Sequence, residues 1–182
     1  MTDAPIIEYV DEACMFARWK SIAFPVFGSR MPTMTGVSAV SLQIEAHGRR
    51  VGKGKLTEIT LLGADVRMPD ASVRQAMDAM VPRLSPYYGC VAAVFEGDGF
   101  RAAMIRGLLT GFQLLGRLKY PHRVFDTVSE CSKWVHGVGV VDAELEALAD
   151  AAREVRSLGL ERGVLTAATT TTRTSLPAPF RE

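Results

Sequence analysis

Residues 89–97, GCVAAVFEG, form an unbroken apolar run closed by glycines. A run without in-and-out alternation suits a strand that is buried on both faces, and such a strand needs helices above and below it. That requirement directs the whole chain toward a mostly parallel sheet covered by helices. The neighbouring segments agree. KLTEITLLGAD predicts a strand of about seven residues, and PDASVRQAMDAMVPRL predicts a helix with Asp70 as its N-cap and Val73, Ala76, Met77, Met80 and Leu84 at helical spacing. Pro82 is expected to end or kink that helix.

Upstream, IIEYVDEACMFARWKSIAF clusters β-formers on either side of Asp11-Glu12, which predicts a hairpin of strands over 6–10 and 14–22. MTGVSAVSLQIEAHGRR fits either period: Val40, Leu42 and Ile44 alternate, while Val37, Val40, Ile44 and His47 recur at helical spacing. The basic end at Arg49-Arg50, with Gly52 and Gly54 beyond, favours a helix. Downstream, residues 99–118 predict a long helix with one narrow polar stripe, Arg106, Thr110, Gln113 and Arg117. HRVFDTV predicts a short strand, and Thr127 to Glu130 matches the capping box that opens a helix through Trp134. DAELEALADAAREVRSLGLE predicts a last helix. From Gly163 the chain is Thr-rich and then Pro-rich without periodicity, as in a flexible tail.

Composition narrows the working class. With 182 residues the chain suits one domain. Lys plus Arg (21) balance Asp plus Glu (20) to a net charge of +1, so no strong field favours nucleic acid. Cys14, Cys90 and Cys131 are odd in number and widely spaced, which disfavours a disulfide framework or a zinc site and suits reduced thiols. The acidic N-terminus lacks the basic start of a signal peptide, and the most apolar stretch, 102–118, is broken by Arg106 and Arg117. A cytoplasmic protein without membrane insertion is the expectation.

The order hairpin, helix, strand, helix, strand, helix, strand, helix over residues 6–137 resembles a STAS domain. The phrase YPHRVFDTVSECSKWV, ending in Trp134-Val135, resembles the close of the SpoIIAA-like branch, the anti-sigma-factor antagonists. The resemblance implies a STAS-like α/β domain over 1–137 with an N-terminal hairpin and a mixed, mostly parallel sheet. It leaves a C-terminal helical extension over 138–162 and a tail over 163–182. It also implies regulation through protein binding, with a Ser after an Asp at the start of the helix following the central strand accepting phosphate. Here MPDASVRQ departs from that Asp-Ser-Ser-Gly pattern: Ala71 stands in place of a hydroxyl and Val73 in place of the Gly. Ser72 is the candidate phosphoacceptor. A lipid-binding fold shares the same layout but encloses its cavity with additional helices.

Four constellations bear on chemistry. Gly97-Asp98-Gly99 with Ala102 gives only part of a dinucleotide fingerprint, without the acid about 20 residues on, and lacks the Lys-Ser/Thr of a phosphate loop. It suits a strand-to-helix elbow capped by Asp98. Ala103, Gly107 and Gly111 form a small-residue stripe, suited to tight packing on the sheet or to a partner helix or second copy. The three histidines, His47, His122 and His136, have no metal-ligand spacing, and neither a catalytic cysteine context nor a nucleophile elbow is present. Asp65, Arg67, Asp70, Glu96, Asp98 and Arg101 fall at strand ends that point the same way, so a ligand or docking surface is expected there. The sequence thus predicts a non-enzymatic protein-binding module without cofactor or metal. The competing expectation is a small-molecule or lipid binder at the same strand-edge loops.

Overall fold

The computed structural model describes residues 4–67, 69–95 and 119–166. Among these residues six strands form one sheet in chain order: β1 (Ile6–Val10), β2 (Cys14–Trp19), β3 (Ile22–Phe27), β4 (Leu56–Leu62), β5 (Tyr88–Phe95) and β6 (His122–Phe125). The first two pairings are antiparallel and the remaining three parallel, so the fold is α/β with a mixed, mostly parallel sheet. Among the described residues four helices pack on it: α1 (Met34–Val51), α2 (Ala71–Leu84), α3 (Val128–Val138) and α4 (Leu145–Glu161).

The expected N-terminal hairpin is a three-strand meander. Residues 14–22 are not one strand, because Trp19 pairs with Ile22 across a two-residue turn at Lys20-Ser21. Lys20 takes a positive φ of 49°, a conformation usually marked by Gly or Asn, so the ordinary turn signal is missing from the sequence.

Side-chain alternation sorts the core into two layers. Met15, Ala17 and Trp19 of β2, Ile22, Phe24 and Val26 of β3, and Cys90, Ala92 and Val94 of β5 face one side, where Val135 of α3 and Leu148 and Val155 of α4 cover them. Phe16 and Ala23 face the other side beneath Val40 and Ile44 of α1 and Leu84 of α2. At about 0.8 kcal/mol per buried CH2, these two layers supply the main driving force. The last helix therefore completes the same core rather than standing apart. The packed chain also extends past the expected start of the tail, since Val164 and Leu165 are only 1% and 6% exposed.

The helix ends follow their local chemistry. Thr33 caps α1 by accepting from the Gly36 amide at 3.0 Å, and Thr127 caps α3 by accepting from the Glu130 amide at 3.2 Å. Helix α1 closes on Gly52, whose φ is 102°. Helix α2 runs two residues beyond Pro82 to Leu84. Glu45 of α1 pairs with Arg49 of its own helix and with Arg83 of α2, and the Ser41 hydroxyl meets the Met80 sulfur, which clamps α1 and α2 side by side.

Candidate functional site

Parallel strands all end on the same side, and the loops leaving them form the carboxyl edge of the sheet, the usual location of ligand and docking sites in open α/β folds. Strand β3 ends there at Phe27, followed by Gly28 and the loop into α1. Strand β4 ends there at Leu62, followed by Gly63 to Arg67 and the loop into α2. The edge holds Asp65, Arg67, Asp70 and Ser72, all exposed. Of the expected edge residues, Asp65, Arg67 and Asp70 lie on this one loop, with Ser72 just beyond it at the start of α2. Glu96, Asp98 and Arg101, the Gly97-Asp98-Gly99 turn, and the Ala103, Gly107 and Gly111 stripe of the expected 99–118 helix lie outside the described residues.

Local geometry explains how Ser72 is held. Asp70 is the N-cap of α2, its Oδ1 accepting from the Val73 amide at 2.9 Å and from the Ser72 hydroxyl at 2.7 Å. These two donors, the Ser72 hydroxyl first, hold the Asp70 carboxyl below its ordinary value. Ser72 is therefore a solvent-facing hydroxyl in the first turn of a helix, hydrogen-bonded to a carboxylate.

One further segment reaches this edge. After α4 the chain crosses the ends of β3 and β4: a Cβ at Gly28 would fall inside the carbonyl oxygen of Val164, and Leu165 packs against Gly63. Thr166 then donates to Asp65 Oδ2 at 3.3 Å. Gly28 is a glycine because another backbone occupies the space of a side chain.

A second polar region lies half-buried on a face of the sheet, at a residue that the spacing of motifs does not mark. Glu58 sits in the middle of β4, on the face that carries α1 and α2. Its Oε1 accepts from the Thr60 hydroxyl at 2.9 Å, and its Oε2 accepts from the Tyr88 hydroxyl. The Tyr88 ring packs against that of Tyr120 with centroids 5.0 Å apart. Register places Val91 and then His122 in the same row across the sheet. Burial pushes the Glu58 carboxyl above its ordinary range despite the two hydroxyl donors. Burial also lifts Tyr88 well above its ordinary value, with the Glu58 charge adding to the effect, and raises Tyr120 to about 12. His122 is pushed down, again by burial. The signal in the sequence is a glutamate within LTEITLL, since carboxylates are rare in central strands.

The histidines and cysteines have separate surroundings. His47 of α1 is 3% exposed; burial first, then the charges of Arg50 and Arg18, lower its pKa to about 4, partly opposed by Glu8. Glu8 bonds Arg18 at 2.6 Å and Arg50 at 3.2 Å. All three cysteines are free and buried. Burial raises the Cys14 and Cys131 thiols to about 12, which makes both poor nucleophiles. Among the described residues no group of three or more His, Cys, Asp or Glu is placed to hold a metal, and no helix is long and apolar enough to cross a membrane. An open groove of about 340 Å³ between α3 and α4 is lined in part by Lys133, Glu146, Asp150 and Arg153. It lies across the sheet from Glu58.

Comparison with known proteins adds no identity. No known family model matches the chain, and no curated protein does. A solved structure described as an enoyl-CoA hydratase/carnithine racemase from Magnetospirillum magneticum aligns over 82% of each chain at 10% identity with a TM-score of 0.34. A likeness that distant carries no functional argument.

Proposed function

We propose that this chain is a non-enzymatic, STAS-like regulatory module of the cytoplasm that works by binding another protein at the carboxyl edge around the start of α2. The observation that carries this reading is Ser72: an exposed hydroxyl in the first turn of the helix that follows β4, fixed by Asp70. A phosphate on Ser72 would remove the hydroxyl donor, add about −1.5 to −2 charges beside the Asp70 carboxylate, and rearrange the cap that shapes this edge. Modification there would change a docking surface while leaving the buried layers alone. Buried free thiols at Cys14, Cys90 and Cys131 fit a reducing compartment.

Quantitative phosphoproteomics of the native protein, together with partner capture by wild-type and Ser72→Glu chains, tests the proposal. Modification of Ser72 and loss of the captured partner with Ser72→Glu are expected. Absence of modification with unchanged capture would sink it.

A second reading has one specific observation in its favour. Glu58, with Tyr88 and Thr60, is a half-buried carboxylate of raised pKa, and such groups recur at binding and catalytic sites. In that reading the chain binds a small molecule or lipid, and native mass spectrometry of freshly purified protein would show a co-purifying ligand that Glu58→Gln loses.

A further inference from the structure

We infer that Glu8, Arg18, Arg50 and His47 form an acid-sensitive clasp that holds strand β1 on the sheet and releases it when His47 takes up a proton. The clasp stands apart from the proposed function, which uses none of these four groups.

Strand β1 is a five-residue strand at the end of the sheet order, paired with β2 alone among the described strands. Ile7 and Tyr9 pack against the two core layers, while Ile6 and Val10 are 46% and 41% exposed. The register with β2 slips between Ile7 and Tyr9, which leaves Glu8 as an extra residue without a partner across the pair. A bulge of this kind re-aims the side chain it inserts. Here the Glu8 carboxylate turns to two cations, accepting from Arg18 of β2 at 2.6 Å and from Arg50 of α1 at 3.2 Å. Glu8 thereby joins β1 to both a neighbouring strand and the helix above it. The Tyr9 hydroxyl, by contrast, bonds Asp11 in the turn that follows, a tie within the hairpin.

His47 lies in the field of this cluster. It is 3% exposed, and its helix rests on both β1 and β2. The charges that act on it among the described residues are Arg50 of its own helix, Arg18 of β2 and Glu8 of β1, while β3 presents the Ile22 backbone. A proton on His47 would add a third cation to a cluster with one carboxylate, in a space closed to water. Departure of β1 opens that space, so the released form accepts a proton that the clasped form refuses. The His47 pKa is lowered in the clasped form to about 4, so the clasp is at full strength above 6.5 and weakens as pH falls toward about 4. Glu8 acts in the same direction in stronger acid. Burial raises its carboxyl, the bonds from Arg18 and Arg50 more than offset that, and protonation through its lowered pKa removes the one anion of the cluster. Once β1 leaves, β2 becomes the edge of the sheet, with backbone groups free to pair with another strand.

Native-state hydrogen exchange of the full chain, read as protection relative to the unstructured rate at each pH, tests the clasp. The β1 amides protected at pH 7 should exchange through a local opening, with a weaker urea dependence than the β4 and β5 amides, which report global unfolding. Between pH 7 and pH 5 that opening should become more frequent by up to about twentyfold, the factor allowed by a pKa of about 4 against the ordinary 6.5. His47→Gln should keep the local opening and abolish its pH response. Glu8→Gln should lower β1 protection already at pH 7 while β4 and β5 stay protected, and it serves as the test should His47→Gln fail to fold. Exchange of β1 with the same protection and urea dependence as β4 and β5 overturns the inference. So does a local opening indifferent to pH, an unchanged pH response in His47→Gln, or full β1 protection in Glu8→Gln.

Discussion

The carboxyl edge and the interior of β4 both concentrate polar groups, and they hold them in opposite ways. At the edge, Asp70 and Ser72 are exposed, their hydrogen bonds are local, and the carboxyl pKa is lowered. Along β4, Glu58 is half-buried, its donors come from its own strand and from β5, and its pKa is raised. The first arrangement is easily rearranged, since its bonds are local and open to solvent. The second resists change more, because an acceptor partly withdrawn from water loses more when its donor is removed than an exposed one does. Function assigned to the edge and stability assigned to the interior therefore make different predictions.

The largest expected effect falls where the edge is built into the core. Gly28→Val has no space beside the Val164 carbonyl. Overpacking of this kind costs about 1–3 kcal/mol or more, and each kcal/mol lowers the Tm of a chain this size by roughly 2–4 °C. Thermal melts, with hydrogen exchange at residues 163–166, would register both the loss and the release of the crossing segment.

Next is the interior. Tyr88→Phe removes a donor from Glu58 and is expected to cost about 1–3 kcal/mol by chemical denaturation. Glu58→Gln should act in the opposite direction at neutral pH. Burial raises the folded carboxyl above its unfolded value, so the folded state holds that proton more tightly, and stability falls as pH rises through the folded pKa. The Gln variant lacks that loss. Its melting temperature should exceed wild type at neutral pH and converge with it in acid, below the ordinary carboxylate range.

His47 supplies an acid-side effect of the other sign. Its folded pKa of about 4 lies below the ordinary 6.5, so the unfolded chain takes up a proton that the folded chain refuses. Stability should decline as pH falls from about 6.5 to about 4. His47→Gln should flatten that part of the profile, as followed by denaturation at several pH values. Ser72→Glu is expected to have the smallest effect on stability, since Ser72 is exposed and contributes to no core layer.

Much of the architecture was legible because it rests on period and punctuation. The apolar run at 89–95 is a double-faced strand, Asp70 and Thr127 cap the helices they precede, and Gly52 ends α1. The turn at Lys20 was not legible, since the sheet forces a lysine into a conformation that its chemistry does not advertise. Nor was the crossing at Gly28, because a glycine that makes room for a distant backbone looks like any loop glycine until the two segments meet. Asp65, Arg67 and Asp70 could be placed on the loop after β4 from the strand end, and Ser72 from the helix start that Asp70 caps. Glu58 was hidden because its meaning depends on Tyr88, thirty residues away across the sheet.

The most direct measurement is recovery of a bound partner from the native host by three tagged chains: wild type, Ser72→Glu and Glu58→Gln. Docking at the edge predicts loss of the same partner with Ser72→Glu and full recovery with Glu58→Gln. Retention with Ser72→Glu and loss with Glu58→Gln would contradict it and transfer the function to the Glu58 carboxylate.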